Sequence, residues 1–261
     1  MNTRRLFGQT LKFYFITIHN MDRIMDLVFW PCVNLLLWGF TSTYLQGLTG
    51  SPTFVSLFLG GLLLWTVFER VYQDISFYIL EDFWSYSLKN TFASPLTLGE
   101  LVASIIGFGV IRAVISFIVL SIGASVLYQF HVLSAGAFGI ALLSLSLMIF
   151  GWSLGIMMIS ILFRYGVSVQ FVCWSLPFML QPFVGVFYPL SALPSWVLPI
   201  SHLIPLSYIF EGMRIALHTG VIPWHETLIS LALNIPYLIL AFMALKGSIA
   251  AARKSGLITG Y

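Results

Sequence analysis

Long apolar runs without charge dominate this chain and separate short segments that hold its charged residues. No Asp, Glu, Lys or Arg falls in residues 27–68, 113–163 or 165–210, which are runs of 42, 51 and 46 residues. Each run is longer than the roughly 20 apolar residues that cross a bilayer as a helix. These runs and a further apolar stretch after residue 226 predict six membrane spans, which we place near residues 24–45, 53–76, 98–128, 135–163, 167–189 and 227–246.

These spans are expected to be helical, because a backbone in hydrocarbon must satisfy its own hydrogen bonds. The apolar runs are also far longer than the about 10 alternating residues of a membrane β-strand. The predicted fold class is an all-α polytopic membrane protein. Since no internal repeat or linker is evident, residues 1–261 form one domain, with an interfacial helix at 1–23, a six-span bundle at 24–246 and a tail at 247–261.

The segment before the first span has the pattern of an amphipathic helix that lies in the membrane plane. The alternative is a plain extension of the first span. Apolar and polar residues of this segment fall on opposite helical faces, with Phe7, Leu11, Tyr14, Phe15 and Ile18 on one and Arg5, Gln9, Lys12, His19 and Arg23 on the other.

The composition excludes a soluble globular protein. Apolar residues make up 59% of the chain and charged residues only 8%, against about 25% charged residues in soluble domains. The net charge of +3 includes no basic cluster of the kind that neutralises nucleic-acid phosphates, so a nucleic-acid partner is not expected. Lipid is the expected surroundings of most of the surface.

Basic residues set the orientation. The three loops on one side hold only Arg214, so this side is predicted to face outward and both termini to be cytoplasmic. Nine basic residues fall on the opposite, cytoplasmic side: Arg4, Arg5, Lys12, Arg23, Lys89, Arg164, Lys246, Arg253 and Lys254.

The connection between the second and third spans predicts a short cytoplasmic amphipathic helix within residues 77–96. A membrane anchor and a docking element for a partner protein are equally compatible with it. Thr97 and Glu100 form a capping box that starts the third span. The segment's charged and aromatic residues are Glu81, Asp82, Phe83, Trp84, Tyr86, Lys89 and Phe92.

Six of the eleven prolines fall between Pro177 and Pro205. Each proline removes a backbone donor, so no unbroken helix runs through this segment. Apolar residues continue beyond Pro189, which predicts a helical pair that folds back into the outer leaflet rather than a loop in water. Glu211 and Arg214 are expected to share the exposed face of the returning helix.

Ionisable residues inside the spans are costly and therefore informative. Four such residues stand out, which are Glu69, Arg70, Asp74 and Arg112. Glu69 and Arg112 approach the same cytoplasmic leaflet from opposite directions and are expected to form an ion pair. The alternative is that these charges form a polar step in a transport or proton pathway.

One match to a catalytic motif and the absence of another bear on possible enzymatic functions. Gly151-Trp152-Ser153-Leu154-Gly155 matches the nucleophile elbow of serine hydrolases, but it lies within an apolar helix, where its G-x-x-x-G spacing favours close helix packing. None of the four lysines follows a glycine, so the chain has no P-loop for ATP. If ATP supplies energy to this protein, a separate chain must therefore bind it.

The order of these features resembles the permease subunits of the second major type of ATP-binding-cassette exporter, which include bacterial drug, nodulation-factor and polysaccharide export permeases. The resemblance covers most of the chain. It rests on the amphipathic N-terminal helix, on the Ser94-Pro95-Leu96 step before Glu100, and on the run Phe187-Tyr188-Pro189-Leu190-Ser191-Ala192-Leu193-Pro194 followed by Glu211-Gly212-Met213-Arg214.

The resemblance implies a non-catalytic half-transporter of the bacterial inner membrane that pairs with a second copy of itself. Two copies of a separate ATPase would bind ATP and Mg²⁺ and dock on a coupling helix within 81–92. The outer segment would be a gate containing Tyr188, Pro189, Leu193, Pro194, Glu211 and Arg214. The expected cargo is lipid-like, amphipathic or drug-like, and a lipid-linked glycan is the alternative. An ion-coupled transporter and a hydrolase using Ser153 remain as other classes of function.

Overall fold

The computed structural model describes residues 3–51, 53–87, 90 and 97–254, and within them we find helices and turns but no strand. We number the α-helices in chain order. They are α1 (Thr3–His19), α2 (Met21–Thr49), α3 (Thr53–Trp84), α4 (Leu98–Tyr128), α5 (Ala137–Tyr165), α6 (Gln170–Leu180), α7 (Leu198–Leu203), α8 (Pro205–Thr219) and α9 (Trp224–Lys254).

The all-α polytopic fold is confirmed, but the count of six spans is not. Five helical stretches of the described chain are long and apolar enough to cross a membrane. One of them, Ala137–Phe183, covers most of the fourth and fifth predicted spans. Gly166 ends α5 with a positive φ of 67°, and α6 then has only 11 residues before a 3-10 turn at Gln181–Phe183. Prolines at positions 177 and 182 explain why the fifth predicted span is short.

The first helix has the two faces expected from its sequence. The apolar side chains of one face, including Phe7 and Phe15, are exposed, as required for contact with lipid. Phe13 on the other side is buried, with its ring centroid 4.2 Å from that of Tyr78 on α3. The apolar face is therefore open to lipid, while the opposite face fastens α1 to the bundle.

Helix α3 forms the centre of the bundle and packs against α2, α4 and α5. Gly151 and Gly155 of α5 allow this approach, because a Cβ atom at Gly151 would lie 2.5 Å from the Val71 side chain and one at Gly155 would lie 2.8 Å from Ile75. The Ser153 hydroxyl donates to the Ile149 carbonyl oxygen of its own helix at 2.8 Å. The motif therefore serves helix packing, as predicted.

Helices α5 and α9 run in the same direction along much of their length. Ser146 and Ser230 form a hydrogen bond of 2.8 Å, and the Asn234 amide donates to the Ser146 carbonyl oxygen at 3.0 Å. Further along both helices, the Phe150 and Tyr237 ring centroids are 5.1 Å apart. These contacts fix the two helices in parallel register, so their last turns lie at the same end of the bundle.

The proline-rich segment is broken in the predicted manner and ends in the helical pair α7 and α8. The side chains that α8 directs at its neighbours are fully buried, among them Phe210 and Met213. This helix contacts α3, α5 and α9. Helix α8 is therefore part of the packed bundle, whereas the short helix α7 buries only Ser201.

Candidate functional site

A cluster of buried charges joins α2, α3 and α4. Arg70 of α3 forms an ion pair with the Asp26 carboxylate of α2 and also donates to the Asp26 carbonyl oxygen at 2.7 Å. Arg112 of α4 pairs with Asp74 of α3 and lies 3.6 Å from the Asp26 carboxylate. Asp26 therefore bridges two arginines, and the three helices are joined by charge.

The prediction that Arg112 pairs with Glu69 is wrong, because Arg112 pairs with Asp74 instead. Glu69 instead accepts a hydrogen bond of 3.2 Å from the Gln73 side chain on its own helix. Asp74 lies on the face of α3 that meets α4, where a Cβ atom at Gly109 would be 3.2 Å from its carboxylate oxygen. Asp74 follows Glu69 by only five positions, but the two side chains point in different directions around α3.

Burial makes this cluster costly to disrupt. The side chains of Asp74 and Arg112 are 2% and 6% exposed, whereas that of Asp26 is 41% exposed. An ion pair removed from water stabilises a structure only when both charges stay paired, because a lone buried charge has no compensating partner. The cluster is closed on the side of α4 and open at Asp26.

The open side leads into a groove of about 470 Å³ between α2, α3 and the segment from α6 to Phe187. Most of its wall is aromatic or apolar, and its polar groups lie at intervals along α2 and α3. The aromatic lining is Trp30, Trp38, Trp65, Trp174, Phe178 and Phe187, and the polar lining is Asp26, Asn34, Thr66, Glu69, Arg70, Gln73 and Gln181.

Aromatic rings close one end of the groove. The Trp38 and Phe187 rings stack with centroids 4.1 Å apart, and Phe58 lies 5.5 Å from Phe187. At the other end Phe77 and Trp174 are 4.2 Å apart. The groove is therefore bounded by ring pairs at both ends, with Glu69 between them.

The predicted coupling segment differs from expectation in two respects. Residues 77–84 are the last turns of α3 rather than a separate helix, and α3 ends before Tyr86, whose φ is 55°. Phe83, which the amphipathic pattern predicts to lie on the surface, is 5% exposed and packs against Phe163 of α5. Trp84 and Tyr86 are exposed. Lys89 and Phe92 lie outside the described residues.

The charges of this segment fasten it to the bundle. Glu81 pairs with Arg23 at the start of α2, and the Arg23 guanidinium carbon lies 4.2 Å from the Tyr78 ring centroid. Asp82 accepts a hydrogen bond of 2.7 Å from Ser87. The Trp84 indole donates to the Gln170 side chain at 2.9 Å, which links the end of α3 to the start of α6. The end of α3 therefore contacts both helices that border the groove.

The outer segment is held by a clamp from α8. Arg214 donates to the carbonyl oxygens of Gly185 and Tyr188, the latter at 2.6 Å, and lies 3.1 Å from Glu211. Glu211 in turn accepts from the Leu190 backbone at 2.7 Å. Arg214 is buried, so the expectation that this pair occupies an exposed face is wrong. The loop carbonyls supply the partners that make its burial tolerable.

The other predicted gate residues belong to the loop that this clamp holds and to the turn that comes after it. The Tyr188 hydroxyl donates to the Pro182 carbonyl oxygen at 2.6 Å, which closes the loop on itself. Pro189 and Leu193 are extended and flank a 3-10 turn at Leu190–Ala192. The Pro194 carbonyl oxygen accepts from Val197 at 2.9 Å, just before α7. These residues therefore form one ordered loop next to Phe187 of the groove.

Sequence reasoning did not single out Asp26 or the aromatic lining of the groove. Asp26 lies three residues after Arg23, at the edge of the first charge-free run. An ionisable residue inside a predicted span is costly, so this position could have marked Asp26 as a candidate site residue. The aromatic residues gave no signal, because rings that face lipid and rings that line a groove look alike in a sequence.

A family model described as the ABC-2 type transporter matches residues 10–218, which include both the charge cluster and the outer clamp. A comparison with curated proteins finds no match. Permeases of the matched family form the membrane domain of transport systems and generally work with a separate ATP-binding-cassette subunit. The chain therefore belongs to the ABC-2 type transporter family, as the multi-pass transmembrane subunit of an ABC transport system.

Proposed function

We propose that this chain is the permease of an ATP-driven exporter that moves a lipid-like, amphipathic or drug-like substrate out of the cytoplasm or the inner leaflet. The groove between α2, α3 and α6 is the observation that carries the proposal. Its volume of about 470 Å³ lies within the range typical of small-molecule sites. A wall that combines aromatic rings with polar side chains suits a ligand that has an apolar body and a polar end.

The polar groups of the groove indicate where that polar end would lie. Glu69 and Gln73 are adjacent on one face of α3, and Asn34 faces them from α2. The Arg70 guanidinium is already paired with Asp26. The remaining carboxylate of Glu69 favours a cationic or hydrogen-bond-donating group on the substrate.

A second copy of the chain would complete the path. Asp26 is 41% exposed beside the groove, although it lies near the start of a membrane span and is followed by 42 residues without a charge. A carboxylate is poorly placed against hydrocarbon and is tolerated where it meets protein or water. Only 17% of an 18-residue apolar stretch of α2 is buried within one chain. A homodimer that pairs the α2 surfaces would enclose both grooves.

The partner ATPase would dock on the cytoplasmic end of α3 and bind the ATP and Mg²⁺ that this chain has no P-loop to hold. Trp84 and Tyr86 offer exposed aromatic surface there, beside Glu81 and Asp82. Movement of this end would reach the groove through the Trp84–Gln170 hydrogen bond and the Arg23–Glu81 pair. Two ATPases, one for each copy, would act on a permease of the bacterial inner membrane with both termini cytoplasmic.

A lipid-linked glycan is the second candidate cargo, since Trp30 and Trp174 are aromatic groups of the kind that stack on sugars. The rings of Trp38, Phe58 and Phe187 stack on one another instead. Their faces are therefore occupied, which favours a small amphipathic cargo. Glu69 would have a different role in an ion-coupled transporter, where it would carry the coupling proton.

The test reconstitutes the chain with the ATPase that co-purifies with it and replaces Asn34 with Trp to fill the groove. ATP-dependent uptake of a fluorescent amphipathic cation into inside-out vesicles should be lost, with the ATPase still bound. The control, Ile239→Trp, adds the same ring to an exposed site on α9. Normal uptake in N34W, or equal loss in I239W, would contradict a path through the groove. Uptake of a lipid-linked oligosaccharide alone would select the glycan alternative.

A further inference from the structure

A second groove lies between the last turns of α5 and the C-terminal half of α9. It has a volume of about 380 Å³ and shares no residue with the groove of the proposed path. Gly247 leaves it open, because a Cβ atom at this position would meet no atom within 4 Å. The proposed export function assigns no role to this groove.

The groove has a polar end and an apolar end. Arg164, Tyr165 and Ser248 line the end toward the helix C-termini, while Met157 and Ala244 lie in its wall farther from those termini. Since α5 and α9 run in parallel register, the polar residues of both helices fall at the same level. The groove is therefore amphipathic along the bundle axis, with charge at the end assigned to the cytoplasm.

Arg164 has no acidic partner among the residues that the structure describes. Its guanidinium carbon lies 5.7 Å from the Tyr165 ring centroid, and both side chains are exposed. Lys246, next to the groove on α9, is also exposed and forms no ion pair with another described residue. Two cations without acidic partners in the described chain thus stand beside an apolar channel at the membrane boundary, where they attract anionic headgroups.

The hydroxyl groups of the groove differ in what they offer. Ser160 already donates to the Ile156 carbonyl oxygen at 2.8 Å, so it has no proton left for a ligand. Ser248 forms no side-chain hydrogen bond with the described residues and can donate to a phosphate. Arg164 and Ser248 together give a charged donor and a neutral donor that line the same space from two helices.

We propose that this groove binds one anionic phospholipid of the cytoplasmic leaflet. Its phosphate lies between Arg164 and Ser248, and an acyl chain runs past Met157 toward the membrane centre. The leaflet follows from the orientation proposed above. A free phosphate would leave the apolar half of the groove empty, and a second protein chain would have to supply the negative charge, so a lipid matches both halves.

The test measures lipid retention by the purified full-length chain in detergent, by native mass spectrometry. Phosphatidylglycerol and phosphatidylcholine with the same acyl chains are added separately. The wild type should retain phosphatidylglycerol in preference to phosphatidylcholine, and Arg164→Gln should weaken that retention about fivefold, as expected for one basic residue at a membrane surface. Lys12→Gln, which removes an exposed cation on α1, should have no effect.

Gly247→Leu provides a second variant that keeps every charge and fills the groove. It should lower retention of phosphatidylglycerol, and inorganic phosphate at the same concentration should not displace the lipid. Equal retention of both lipids by the wild type, or equal losses in R164Q and K12Q, would overturn the proposal. A change in oligomeric state in G247L with unchanged lipid retention would make the groove a protein interface instead. None of these readouts requires transport, so they do not depend on the export activity.

Discussion

Replacement of Arg112 by Gln is expected to destabilise the protein strongly, because it leaves the Asp74 carboxylate buried without its main partner. Asp74 is 2% exposed, and Arg112 is the cation that contacts its carboxylate. Removal of one member of a buried ion pair costs about 3–5 kcal/mol. Arg112 also lies 3.6 Å from Asp26, so the change weakens the contact between α2 and α4 as well.

The double variant Asp74→Asn with Arg112→Gln should be less destabilised than the two single changes predict in sum. Neutral side chains of similar shape leave no unpaired charge at this position. The coupling free energy between the two positions is therefore expected to be about 2 kcal/mol or more, within the range for residues of one polar network. The Arg70–Asp26 pair remains in all of these variants.

The assay is reversible unfolding in mixed micelles of detergent and dodecyl sulfate, followed by helical circular dichroism. A matched cycle replaces Glu69 and Arg112 by Gln, and this pair should be additive to within about 0.5 kcal/mol because the two side chains are not in contact. A coupling free energy below about 0.5 kcal/mol between Asp74 and Arg112 would refute the arrangement of charges described for α3 and α4. A coupling free energy above about 0.5 kcal/mol between Glu69 and Arg112 would refute it as well.

Three further outcomes are expected. Arg214→Ala should free the loop that Arg214 holds, increase proteolysis of this loop and lower transport. Arg214→Lys should restore part of the resistance to proteolysis and part of the transport activity. Unchanged proteolysis in R214A would contradict the clamp. Trp84→Ala should reduce ATP hydrolysis coupled to transport while the chain stays folded, and normal coupling would reject this contact. In a cysteine-free background, an impermeant thiol reagent should label cysteines at Thr49 and Thr219 but not at Ser85 in intact cells, and the reverse pattern would overturn the orientation.

Much of the architecture could be predicted because the bilayer constrains the chain so strongly. The apolar stretches located α2, α3, α4, α5 and α9, and the capping box at Thr97 is present with both of its hydrogen bonds. Prolines located the break before α7. These signals are local, and each depends on the chemistry of a single residue or a short run.

Contacts between helices could not be predicted in the same way. Both Glu69 and Asp74 are acidic residues on α3, and the choice between them as the partner of Arg112 depends on the rotation of α3 against α4. Rotation is set by packing of the whole bundle, including the approach at Gly109. The burial of Phe83 and Arg214 has the same origin, because exposure depends on neighbours that are distant in sequence.

The central claim is that this chain exports an amphipathic substrate with energy from a separate ATPase. Its most direct test is uptake of a fluorescent amphipathic cation by proteoliposomes that contain the chain and the ATPase that co-purifies with it, with ATP supplied on the ATPase side. We expect uptake that requires ATP, stops with vanadate and is unaffected by an uncoupler. Uptake by the chain alone, driven by a proton gradient and lost in Glu69→Gln, would contradict it.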